Sequence, residues 1–163
     1  MPAVAVPTEV DELVGMGQIA LLAAPKLSRA VLGSCVGIAL YDERKRLGAL
    51  AHVVLPKAAG REVPAPGKFA DTAIEWMLEA LARQGADRKR LLAKLAGGAN
   101  MFAAAGPFQI GKQNADAVRG KLGESGIRLV AEHLGGTQGR RVTFDVATSA
   151  LMIEVVGQSP LVV

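Results

Sequence analysis

Between residues 30 and 55 the chain carries two apolar, β-rich segments, AVLGSCVGIALYD and GALAHVVLP, separated by the charged tetrad Glu43, Arg44, Lys45 and Arg46. Near-continuous apolar runs bounded by a polar turn and by Pro56 predict a β-hairpin of two mostly buried strands. Upstream, 16–24 reads as an edge strand followed by a turn at Pro25 and Lys26. Downstream, the breakers Gly60, Pro64, Pro66 and Gly67 make 57–67 a loop. Phe69, Ala73, Met77 and Leu81 recur at every fourth position with Ala70, Ile74 and Leu78 beside them, which predicts a helix over 68–85 that stops at Gly85. Trp76 and Met77 then belong to packing. A strand over 91–96 ends at the turn Gly97–Gly98, and Ala115, Val118 and Leu122 predict a second helix over 110–126. Gly120 and Gly123 each cost that helix about 1 kcal/mol, so it leans on tertiary packing. Three strands are expected in the tail, over 127–132, 141–146 and 151–156; in the middle one Val142, Phe144 and Val146 alternate with Arg141, Thr143 and Asp145. Strands outnumber helices in mixed order, the pattern of an α/β protein with layered mixed β-sheets flanked by two or three helices.

With 163 residues, half of them hydrophobic, and a mean hydropathy of +0.29, the chain fills one core. We expect one domain over 1–163, with 1–12 and 157–163 as flexible ends. Lys plus Arg exceed Asp plus Glu by 19 to 15, a mild charge of +4, and aromatics are 4% of the residues. Neither a polycationic surface nor base-stacking platforms are available, which argues against nucleic acid as a partner. Glu9, Asp11 and Glu12 occupy the place where an export signal carries Lys or Arg. The longest apolar stretch, 30–41, falls short of the ~20 residues of a membrane span. A cytoplasmic protein without membrane insertion is expected. The single cysteine, Cys35, excludes an intrachain disulfide and a Cys-rich metal site.

The hairpin makes a geometric statement about Cys35 and His52. A two-residue turn at Glu43 and Arg44 places them directly opposite, with Cβ atoms about 5 Å apart. A four-residue turn leaves them diagonal neighbours on the same face, and a three- or five-residue turn puts them on opposite faces. A thiol beside an imidazole has a base for its proton and becomes a nucleophile toward an acyl carbon. Gly33 and Ser34 supply a tight turn whose backbone N–H groups, with that of Cys35, can face a developing oxyanion. The plainer reading packs Cys35 as core beside Val36 and Ile38 and makes His52 a strand cap; from these two residues alone both readings stand.

Other motifs carry less. GPFQIGKQ (106–113) has the spacing of a phosphate-binding loop, but Gln113 stands where Ser or Thr must reach a metal. His133 and His52, without clustered thiols or carboxylates, make a poor zinc set, so no metal and no cofactor is expected. Arg88, Lys89, Arg90 and Lys94 follow a helix end, where cations meet the C-terminal dipole, and Arg140 and Arg141 are candidates to extend that patch.

LGSCVGIALYD followed by GALAHVVLP resembles the CheD family of chemoreceptor glutamine deamidases. The resemblance continues through GKFADTAIEWML, AKLAGGANMF, IGKQNADAVRGKL and GIRLVAEHLGGTQGRRVTFDVATS, and covers residues 13 to 156. It implies a cysteine hydrolase, related in fold to bacterial toxin deamidases, that converts chemoreceptor glutamines to glutamate with release of ammonia and so tunes chemotaxis. It implies Cys35 as nucleophile and His52 as base, chemoreceptors as substrates, and a CheC-type phosphatase as a second partner. Substrate recognition would involve the loop 57–67 and the turns at Gly97 and Gly135.

One position departs from the pattern. Where the family commonly has a threonine that orients the histidine, six residues before the cysteine, this chain has Arg29. A guanidinium cannot accept a hydrogen bond from imidazole, although turned inward it would lower the thiol pKa. Ser28, one residue away, is the other candidate third member. The competing reading is therefore a deamidase-like binding module, its catalysis weakened, that regulates a phosphatase.

Overall fold

The computed structural model describes residues 4–60, 63–101 and 109–163. In chain order its elements are β1 (Glu12–Leu13), β2 (Ile19–Ala23), β3 (Leu27–Leu32), β4 (Val36–Asp42), β5 (Leu47–Val53), α1 (Ala70–Arg83), β6 (Leu92–Gly97), α2 (Ile110–Glu124), β7 (Arg128–Leu134), β8 (Arg140–Asp145), β9 (Ala150–Glu154) and β10 (Leu161–Val162). Two five-stranded sheets form, in the orders β1-β3-β8-β9-β10 and β2-β5-β4-β6-β7.

The second sheet is the middle layer. One of its faces, carrying Ile38, Leu40, Ala49, Ala51, Ala93 and Leu95, packs on the helices through Ile74, Met77, Leu81, Val118 and Leu122. The other, carrying Ala39, Tyr41, Leu50 and Ala96, packs on the first sheet through Ala30, Leu32, Val142, Phe144 and Leu151. The rings of Tyr41 and Phe144 meet across that interface at 5.9 Å. Every residue of β4 is buried, because the strand lies in the centre of a layer covered on both sides. This accounts for its unbroken apolar run. In β8, by contrast, Val142 and Phe144 face inward while Arg141 is exposed.

The expected helices and the β4–β5 hairpin form, with β2 as an edge strand. Two features differ from the sequence pattern. The apolar stretch 30–41 is divided: residues to Leu32 belong to the outer sheet and Val36 onward to the middle sheet, so the bend at 33–35 carries the chain between layers. Residues near both ends, assigned above to flexible tails, take part in pairing: Glu12 stands beside Ser28, and Leu161 and Val162 pair with Ile153 and Met152. No helix among the described residues is long and apolar enough to cross a membrane.

Candidate active site

The hairpin turn spans four residues, Glu43 to Arg46, so Val36 pairs with Val53 and Gly37 with His52. Cys35 therefore lies two positions along the same face from the residue opposite His52. This is the diagonal arrangement, with an expected Cβ separation of about 7 Å. That face is the inter-sheet face: Cys35 belongs to the apolar cluster between the sheets, at 8% exposure, and His52 is 4% exposed. The residue directly opposite His52 is a glycine. A Cβ on Gly37 would stand 2.9 Å from Leu32 Cδ1, so the Leu32 side chain would have to shift to admit one.

The bend that carries Cys35 is tied down by its carbonyls. Gly33 O accepts from the Ala99 N–H at 3.0 Å, Cys35 O from the Gly98 N–H at 2.8 Å, and Ser34 O from Asn114 Nδ2 at 3.0 Å. Neither the Gly33 nor the Ser34 N–H has a backbone acceptor among the described residues. The turn at Gly97 is pressed against this bend. Gly97 has φ +106°, and a Cβ there would collide with the Cys35 carbonyl oxygen, so the close approach requires glycine. The Gly135 turn docks behind it through Gly135 N–H to Gly97 O at 3.0 Å.

His52 is held by its backbone, which donates to Gln18 O at 3.0 Å and accepts from the Gly17 N–H at 2.8 Å. Its ring is held by Nδ1, 2.9 Å from the carbonyl oxygen of Val14. A carbonyl only accepts, so Nδ1 carries the hydrogen and Nε2 keeps its lone pair. Burial pushes the Cys35 thiol above the ordinary thiol value, and burial pulls the His52 imidazole below its own, opposed by the bond to Val14. Both shifts favour the neutral forms, thiol and imidazole, over thiolate and imidazolium.

Neither candidate third member bonds His52. Arg29 lies on the outer face of β3, where Nε donates to Thr143 Oγ1 at 3.0 Å and the other nitrogens reach the carbonyls of Pro7 and Thr8. The expectation that an inward Arg29 would tune the thiol is corrected: residues 30 and 32 of this strand face the inter-sheet core, so 29 cannot. Ser28 does share the inner face, yet its Oγ has no hydrogen-bond partner among the described residues. The group that orients His52 is a main-chain carbonyl.

The remaining candidates fall elsewhere. Of the phosphate-loop spacing, residues 106–108 lie outside the described residues, and Lys112 pairs with Asp116 along the exposed side of α2 at 2.7 Å. His133 Nδ1 accepts from Arg140 at 2.8 Å. No group of three or more His, Cys, Asp or Glu among the described residues could hold a metal ion. The basic patch dissolves into separate roles: Arg90 pairs with Asp42 and Asp87, Arg141 with Glu154, and the buried Arg140 donates to the carbonyls of His133 and Gly135. Residues 61–62 of the loop 57–67 are outside the described residues.

Two groups at the site escape a reading of the sequence. Val14 acts through its backbone, which leaves no mark in residue identity. Asn114 does leave one: it is the polar member of a buried helical stripe otherwise made of Gly111, Ala115, Val118 and Leu122.

Layering and site together define a two-sheet α/β protein with a buried thiol and imidazole on one hairpin face. Among solved structures, the Bacillus licheniformis hypothetical protein YfiH is similar in fold, with a TM-score of 0.50 at 13% identity over 73% of this chain and 51% of that one. The family model described as CheD chemotactic sensory transduction matches residues 54–155. A Symbiobacterium thermophilum protein named probable chemoreceptor glutamine deamidase CheD is 46% identical over 90% of this chain and 93% of its own length. The Thermotoga maritima chemoreceptor glutamine deamidase CheD is 40% identical over 90% of this chain and 92% of its own. The chain belongs to the CheD family.

Proposed function

We propose that this protein hydrolyses the side-chain amide of specific chemoreceptor glutamines to glutamate and ammonia, with Cys35 as nucleophile and His52 as base, acting as one cytoplasmic domain with a cysteine-hydrolase fold. The relatives' names support the reaction. The observation that carries the assignment of residues is the bond from His52 Nδ1 to Val14 O, which leaves Nε2 free on the hairpin face that carries Cys35.

Nε2 takes the thiol proton as sulfur adds to the carboxamide carbon, so charge separates only when substrate is present. The carbonyl oxygen becomes an oxyanion, for which the N–H groups of Gly33, Ser34 and Cys35 are donors without a backbone acceptor among the described residues. Collapse breaks the C–N bond, the imidazolium gives its proton to nitrogen, and ammonia leaves a thioester. Water then adds with Nε2 as base, the C–S bond breaks, and the thiol is restored. The buried Gly97 turn braces the bend from inside, while at the Gly135 turn a Cβ would meet nothing within 4 Å, which lets a receptor helix approach closely there.

The weakened-module reading rested on Arg29. With a backbone carbonyl as orienter, Arg29 removes nothing from His52, so the enzyme reading is favoured; binding of a CheC-type phosphatase stands as a second role of the same mouth. The test is incubation with cytoplasmic receptor fragments, scoring Gln-to-Glu conversion by mass spectrometry. Conversion by the parent and none by Cys35→Ala is expected. Equal conversion by that variant, or none by the parent, would overturn the proposal.

A further inference from the structure

The ladder between β4 and β5 ends at the pair Val36–Val53, one residue short of Cys35. Past that point the two strand ends present Ser34 O and Val54 O. Two carbonyls cannot bond each other, and a donor with two hydrogens in a fork is needed to hold them together. Asn114, fully buried on α2, is that donor: Nδ2 lies 3.0 Å from Ser34 O and 2.9 Å from Val54 O. Turning the amide over would put Oδ1 against both carbonyls, so the orientation is determined.

The arrangement is costly for stability alone. Oδ1 is buried without a partner among the described residues, and asparagine is a poor residue for a helix interior. An apolar side chain would fill the stripe of α2 better, but it could not span the two strand ends.

We infer that Asn114 is a positioning residue: its amide sets the separation between the end of β4 that bears Cys35 and the end of β5 that bears His52. This rests on the reading of Cys35 and His52 as nucleophile and base. Their diagonal relation leaves Cys35 outside the ladder, so the reacting distance depends on a clamp from the helix layer. A shift of about 1 Å in such a distance costs up to about a hundredfold in rate.

The experiment compares the full-length parent, Asn114→Ala, the isosteric Asn114→Asp and Leu122→Ala in receptor-fragment deamidation, with kcat and KM normalised to the folded fraction from thermal melts. Leu122 lies on the same buried stripe and touches neither carbonyl, so it reports loss of helix packing alone. Both Asn114 variants are expected to lose at least about tenfold in kcat with KM within about threefold, while Leu122→Ala keeps the parent kcat per folded molecule. If Asn114→Ala does not fold, Asn114→Asp, which keeps the volume, is judged by the same criteria. Unchanged kcat in a folded Asn114 variant, a loss confined to KM, or an equal loss in Leu122→Ala would overturn the inference. Activity surviving in Cys35→Ala would instead sink the nucleophile assignment, a separate outcome.

Discussion

His52 and Val14 meet through a single bond, Nδ1 of the ring to the main-chain carbonyl oxygen at 2.9 Å. An orienter made of backbone cannot be lost by substitution of its side chain. The tautomer that keeps Nε2 basic therefore depends on where β1 is held, and β1 runs beside β3.

Substitutions at the two candidate third positions should accordingly spare catalysis. Arg29→Ala loses the Thr143 bond and the anchors to Pro7 and Thr8, which costs about 1–3 kcal/mol of stability. Its kcat per folded molecule, and that of Ser28→Ala, should stay within about threefold of the parent in the receptor assay. A loss of a hundredfold in either would return the third role to that side chain.

The opposed shifts of thiol and imidazole predict an unusual pH response. Burial disfavours thiolate, so alkylation of Cys35 by iodoacetamide should reach half its maximal rate above the ordinary thiol value of about 8.5. Burial also disfavours imidazolium, so the acid limb of kcat/KM should lie below the ordinary value of about 6.5. An alkylation midpoint below that of a free thiol would show a preformed ion pair instead.

Stability should fall on mild acidification. His52 and His133 both have imidazoles pulled down, each chiefly by burial, with the neighbouring Arg140 adding to the effect at His133. As pH drops through about 6.5 the unfolded chain takes up protons that the folded chain refuses, so the folded state loses ground until the folded values are reached. Tm should decline between pH 7.5 and 5.5, and His52→Gln should flatten the decline. Asp42 adds its own loss only at lower pH, because hydrogen bonds from Asp87 and Lys45 and the Arg90 guanidinium outweigh its burial and hold its carboxyl below the usual range.

Gly97 and Gly120 should respond oppositely to alanine. At Gly97, φ +106° and the collision with Cys35 O should cost about 1–3 kcal/mol and displace Cys35, the proposed nucleophile, so activity falls further than folded fraction. At Gly120, on the exposed side of α2 with nothing within 4 Å of a new Cβ, helix propensity alone should raise stability by about 1 kcal/mol. Chemical denaturation of both variants beside the parent reads the two signs.

The chain's own pattern carries the hairpin, both helices and the shared parity of Cys35 and His52, because alternation along a strand and four-residue recurrence along a helix are local consequences of burying one face. It limits the Cys35–His52 relation to a few turn lengths without selecting one; the four-residue turn at Glu43 to Arg46 is held in part by Asp42 Oδ1, which accepts from the Arg44 and Lys45 N–H groups. What only the tertiary structure decides is set by contacts distant in sequence. The bend at 33–35 sends β3 to the other sheet and turns Arg29 away from the site; Val14 reaches His52 across 38 residues, and Asn114 reaches Ser34 across 80. Such contacts depend on how layers stack and where ladders end, and a periodicity that records whether a position is buried does not record what it is buried against.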